Sequence, residues 1–138
     1  MSYYPEKYLT ADILKQVLDK YPWPAPYDLT DGVAGNILVH FPACTLVFME
    51  GFESSMNAYF LNSQSGRTDS QASLSVFEAA GKVRLLRQQI PGFNEPDEFN
   101  ELGPDASREK VMLGIDNICM LLQNYLLPYI AGDMPVRF

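Results

Sequence analysis

One histidine and two cysteines are the groups of this chain best suited to nucleophilic or proton-transfer chemistry near neutral pH. His40 and Cys44 stand close in sequence, on either side of Phe41-Pro-Ala43, so a Cys–His pair has to be considered. The flanking residues alternate as strands do. Pairing Phe41 with Cys44 puts Val39 opposite Leu46 and Ile37 opposite Phe48, and cross-strand partners share a face. That register sends His40 and Cys44 to opposite faces, and His40 reads as a strand histidine. A zinc site fails on ligand number, because His40, Cys44 and Cys119 offer at most three ligands where a structural zinc takes about four. Glu50 and Glu53 flank Gly51-Phe52 at a hairpin tip, where an exposed pair stays solvated and has nothing to tune it for acid–base work. Gly66-Arg67 lacks the Lys-Ser/Thr of a phosphate loop, and no dinucleotide, zinc-protease or EF-hand spacing is present. The sequence therefore predicts no catalytic residue, no metal ligand and no cofactor.

The chemistry that does stand out is charge. Five carboxylates, Glu95, Asp97, Glu98, Glu101 and Asp105, fall between Pro91 and Asp105 with no basic residue among them. Like charges held this close repel, and a cationic surface would relieve them. Glu95, Asp97, Glu98 and Glu101 are the predicted partner-binding residues. Trp23 is a possible aromatic anchor beside them, in the segment Tyr21-Pro-Trp-Pro-Ala-Pro-Tyr27. Each has a plainer reading. Acidic side chains are favoured before a helix N-terminus, and alternate prolines force an extended linker whose aromatics can pack over one end of a sheet.

The whole chain carries a formal charge of −7 over 138 residues. Phosphate contacts need clustered Lys and Arg, so this balance excludes a nucleic-acid binder and an anionic-membrane binder, and it suits a basic protein partner. At 47% hydrophobic and 20% charged the composition is globular, and residues 1–138 are expected to form one domain. No apolar run approaches the roughly 20 residues that cross a bilayer. The start, Met1-Ser-Tyr-Tyr-Pro-Glu-Lys7, has no basic-then-apolar pattern of a secretory signal. Two cysteines read as buried free thiols suit a reducing compartment, and a cytoplasmic location is expected.

The elements that must position these groups are legible from periodicity. Ile13, Leu14, Val17, Leu18 and Tyr21 mark a first helix, with Thr10 as N-cap, Leu9 and Leu14 as its hydrophobic staple, and Pro22 as its end. Asp28-Leu-Thr-Asp-Gly32 reads as a turn into the first strand. Ile37–Phe41, Cys44–Met49 and Met56–Leu61 read as a strand meander. Its predicted core face holds Ile37, Val39, Phe41, Cys44, Leu46 and Phe48. Its mixed face holds Asn36, Leu38, His40, Thr45, Val47 and Met49. The middle strand is apolar on both parities and is expected to be covered on both faces. Residues 72–88 read as a helix whose start, Ser73–Phe77, fits a fourth strand equally well. A long last helix runs from about Asp105 to Tyr129. Val111, Ile115, Ile118, Leu122 and Tyr125 form its main stripe, and apolar residues nearly close the circle, so it is central or meets a partner on its second side. Pro128 bends or stops it, and Gly132 suits its C-terminus.

In size, acidity, element order and the ending Leu126-Leu-Pro-Tyr-Ile-Ala-Gly-Asp133, the chain resembles small cytosolic immunity proteins of bacterial polymorphic and contact-delivered toxin systems. The resemblance implies a non-catalytic inhibitor that binds one partner stoichiometrically through acidic and aromatic side chains. It carries over no fixed functional residue. The sequence thus predicts an α+β fold, a three- or four-stranded antiparallel meander packed against an N-terminal helix and a long C-terminal helix. The predicted function is a non-enzymatic protein-binding protein, an acidic inhibitor of a basic protein such as a toxin. The alternative is a small-molecule-binding domain with a pocket between the sheet's mixed face and the C-terminal helix.

Overall fold

A computed structural model of the chain describes residues 8–51, 54–61, 73–80 and 107–134. Thr10 caps the first helix, α1 (Ala11–Leu18), its hydroxyl accepting the Ile13 N–H at 3.2 Å. The helix buries Ile13, Leu14, Val17 and Leu18 and ends before Pro22 would require it. The Trp23 indole N–H donates to the Leu18 carbonyl at 2.8 Å, and the Lys20 and Tyr21 amides turn back onto the carbonyls of Val17 and Leu18. These bonds satisfy carbonyls that a helix end leaves open.

Among the described residues the sheet has five antiparallel strands in sequential order: β1 (Asp28–Asp31), β2 (Ile37–His40), β3 (Thr45–Glu50), β4 (Met56–Leu61) and β5 (Ser73–Ser75). The fold is the expected α+β class, with one strand more than expected, at the β1 edge. Asp28–Asp31 is a strand rather than a turn, with Leu29 opposite Val39 and Thr30 opposite Leu38. Its aspartates hid it, because Asp is depleted in strands. The reversal lies further on, at Ala34 (φ 57°) and Gly35 (φ 82°). Ser73–Ser75 forms the strand that the alternation allowed, and residues 76–80 follow as helix (α2). The remainder of the predicted 72–88 helix lies outside the described residues.

The β2–β3 register is the expected one: Ile37 faces Phe48, Val39 faces Leu46, and the Phe41 N–H donates to the Cys44 carbonyl at 2.8 Å. One face of the sheet is therefore core. Ile37, Val39, Leu46, Phe48, Met56, Ala58 and Phe60 are buried there with α1 and the last helices. The opposite face is mixed. Val47 and Leu61 are buried on it, Leu38 and Tyr59 are half-buried, and Met49 is 36% exposed. The expected two-sided cover of β3 holds at Val47 and fails at Met49.

Ser107 caps the last helix, α3 (Arg108–Leu121), accepting the Lys110 N–H at 3.1 Å. The predicted stripe of Val111, Ile115, Ile118, Leu122 and Tyr125 is buried, whereas Leu113 on the second side is 52% exposed. Gly114 gives the closest approach to the sheet: a Cβ there would lie 2.7 Å from the Met56 Cβ. The expected interruption at Pro128 takes the form of a wide π turn, Leu122–Leu126, followed by α4 (Leu127–Ala131). Pro128 has no N–H to offer the Asn124 carbonyl, and in a regular α-helix its ring would crowd that group. Asn124 in turn donates its side-chain amide to the Met120 carbonyl at 2.8 Å. Gly132 (φ 83°) ends the helix as expected.

Leu46 is 1% exposed at the centre of this core. Leu46→Ala is expected to destabilise the fold by ~2–5 kcal/mol, the range for a buried leucine that leaves a cavity. Urea denaturation checks this, and a variant as stable as the parent would contradict the register.

Candidate functional site

The sequence placed Glu50 on a solvated hairpin tip, and the structure corrects this. Glu50 is 5% exposed, and its carboxylate is held by three donors. The Tyr8 and Leu9 amides donate to Oε1 at 2.7 and 2.8 Å, and the Ser54 hydroxyl donates to Oε2 at 2.7 Å. The chain entering α1 crosses this end of the sheet, so the tip is covered. The signal was in the alternation: Leu46, Phe48 and Glu50 share a parity, which puts Glu50 on the core side. Ser54 is itself buried and sits at φ 60°, a left-handed conformation unfavourable for a residue with a Cβ. Its bond to Glu50 helps to hold that turn. Glu50 is thus a clasp between the N-terminal segment and the β3–β4 hairpin. Glu53 lies outside the described residues.

His40 lies on the mixed face in a row with two threonines. Its Nε2 is 2.7 Å from the Thr30 hydroxyl and its Nδ1 is 3.3 Å from that of Thr45. Cys44 belongs to the other face, half-buried against the core, so the two do not form a Cys–His pair. Both cysteines are free thiols. Burial pushes the Cys44 thiol up to about 11, and burial, aided by the nearby Asp116 charge, raises Cys119 further. Both shifts hold the sulfur as neutral thiol, the unreactive form. Among the described residues no three His, Cys, Asp or Glu side chains gather where they could hold a metal ion.

Trp23 is half-buried within the extended segment that follows α1. Its ring packs against Phe41 at 5.7 Å and Tyr21 at 6.3 Å, and Tyr27 packs on Phe41 from a further side at 6.0 Å. The Tyr21 hydroxyl donates to the Asp116 carboxylate, and the Gln123 side-chain amide donates to the Pro22 carbonyl at 2.8 Å. Burial, then the bond to Asp116, raises the Tyr21 phenol well above its ordinary range. The Tyr27 hydroxyl donates to Asp19, which pairs with Lys15 at 3.0 Å. The aromatics of this segment turn inward while Pro22, Pro24 and Pro26 are exposed. The plainer reading weighed for this stretch, a stiff linker packed over one end of the sheet, describes these contacts. The four acidic residues Glu95, Asp97, Glu98 and Glu101 lie outside the described residues, as does Asp105.

A recess of about 230 Å³ lies at the β3–β4 end of the sheet, bordered by Met49, Glu50, Gly51, Ser55, Met56, Asn57 and Tyr59. It is smaller than the roughly 300–1,000 Å³ of most small-molecule sites. It is also not where the small-molecule alternative put its pocket, because α3 packs on the core face through Gly114 and not on the mixed face. Sequence reasoning passed over Asp28 and Asp31, both exposed on the edge strand β1, because it read them as turn residues. No helix among the described residues is long and apolar enough to cross a membrane. No protein-family model, curated protein or solved structure matches the chain.

Glu50→Ala strips the acceptor from two backbone amides and one hydroxyl. Bonds to a charged group contribute about 1.5–3 kcal/mol each, so the loss expected is at least ~3 kcal/mol. Glu50→Gln keeps an acceptor for the amides and should cost less. Equal stability of parent and Glu50→Ala in chemical denaturation would show that the clasp does not form.

Proposed function

We propose that this chain is a non-enzymatic protein-binding protein, an acidic inhibitor of the immunity type that acts in the cytoplasm on a basic protein such as a toxin domain. The observation that carries the reading is the run of Glu95, Asp97, Glu98, Glu101 and Asp105, without an intervening Lys or Arg, in a chain of net charge −7. Such a charge balance steers a cationic partner and penalises an anionic one. The state of the reactive groups supports it. His40 is engaged by two threonine hydroxyls, Glu50 is enclosed by three donors, and both thiols are held protonated. The exposed thioether of Met49, with the half-buried Leu38 and Tyr59, adds an apolar element on the mixed face. Methionine adapts readily to a partner's contour.

In this mode the acidic residues govern encounter, and a partly buried aromatic governs the lifetime of the complex. Neutralising Glu95, Asp97, Glu98 and Glu101 together should slow association with the basic partner by about tenfold or more at low ionic strength and flatten its salt dependence. Trp23→Ala should chiefly speed dissociation. Surface-immobilised binding kinetics at two ionic strengths separate the two effects. Association unchanged by the four neutralisations at both ionic strengths would overturn the reading.

A further inference from the structure

Among the described residues the strand ladder leaves one row of backbone groups open. The Gly32 N–H donates to the Asn36 carbonyl at 2.7 Å, which makes that pair a hydrogen-bonded one. Antiparallel pairs alternate between hydrogen-bonded and non-hydrogen-bonded. With Asp31 opposite Ile37 and Leu29 opposite Val39, it follows that Thr30 and Asp28 bond to β2, while Leu29 and Asp31 aim their N–H and C=O groups away from it. The other hairpin agrees. The Phe41 N–H to Cys44 carbonyl bond commits Ile37 and Val39 to β3 and leaves Leu38 and His40 for β1. Among the described residues β1 is the last strand on its side of the sheet, and nothing among them hydrogen-bonds to the outward groups of Leu29 or Asp31.

Open edges invite another strand, and charged side chains choose which. Asp28 and Asp31 are both exposed and, among the described residues, neither makes an ion pair. They lie on opposite faces of the strand, Asp28 beside His40 and Asp31 beside Ile37. A second copy of this chain would crowd its own aspartates against these along one short ladder, and neighbouring like charges destabilise it. A strand with basic side chains gains where a copy loses.

We propose that the outer edge of β1 is a strand-addition site for an extended segment of a basic protein, one carrying two Lys or Arg three residues apart opposite Asp28 and Asp31. Main-chain bonds to Leu29 and Asp31 supply the docking, and the two aspartates supply the selection. This rests on the reading of the chain as a binder of basic proteins, and it names a docking edge built from residues other than the acidic run at Glu95–Glu101.

The test uses the full chain and a synthetic peptide of alternating Thr and Val with lysines at two positions three apart. Amide exchange and amide chemical shifts are followed by NMR. Saturable binding should slow exchange at Leu29 and Asp31. It should weaken about fivefold or more in the Asp28→Asn/Asp31→Asn double variant. It should vanish for the same peptide with glutamates in place of lysines, or with the amides facing β1 methylated. It should persist when Glu95, Asp97, Glu98 and Glu101 are neutralised. The edge proposal is overturned if the peptide does not bind, or if it binds with Leu29 and Asp31 exchange unchanged. Binding lost only in the four-residue neutralised variant also overturns it, and leaves the acidic-binder reading standing.

Discussion

The hydrogen bond from the Phe41 amide to the Cys44 carbonyl fixes the register on which the rest of this structure depends. A one-residue slip would turn every side chain of a strand to the other face. In the register observed, Ile37, Val39, Leu46 and Phe48 meet α1 and α3, and His40 and Thr45 meet each other on the opposite face. The same choice propagates outward. It commits one set of β2 backbone groups to β3 and the other to β1, and thereby decides which groups of β1 remain open. The core, the separation of His40 from Cys44 and the edge left open among the described residues are consequences of one turn.

Glu50 closes the structure at the other end of β3. A carboxylate removed from water is costly unless its oxygens are satisfied. Two amides from the chain entering α1 and the Ser54 hydroxyl meet that need. The clasp couples the approach to the first helix to the β3–β4 hairpin, so the helix layer and the sheet are joined by a polar bond as well as by apolar contact. The close seat of Gly114 on Met56 does the corresponding work for α3, since any larger residue would hold the helix off the sheet.

Much of this was legible in the sequence because it rests on local periodicity. The caps Thr10 and Ser107, the buried stripe of α3, the β2–β3 pairing and the left-handed Gly132 all follow from residue type and spacing. Periodicity puts the start of α3 near Asp105, and the structure moves it to the Ser107 cap. What escaped depends on contacts distant in sequence or on residues that propensity disfavours. Asp28–Asp31 pairs as a strand because β2 offers it an edge, against the usual preference of aspartate. Glu50 is buried because residues about forty positions earlier fold over it. Periodicity gives its face but not its cover. The π turn needed the crowding of Pro128 against Asn124 to be resolved in three dimensions. Of the residues read as a binding site, Trp23 turns inward onto Phe41, and the acidic run rests on charge alone.

A single register builds the core and, among the described residues, leaves the outer edge of β1 open. Residue-resolved amide exchange of the free protein tests it most directly. Slow exchange is expected throughout β2 and β3, with an alternation in β1 in which Thr30 is protected and Leu29 and Asp31 exchange fast. Protection of Leu29 and Asp31 with Thr30 exposed would contradict it.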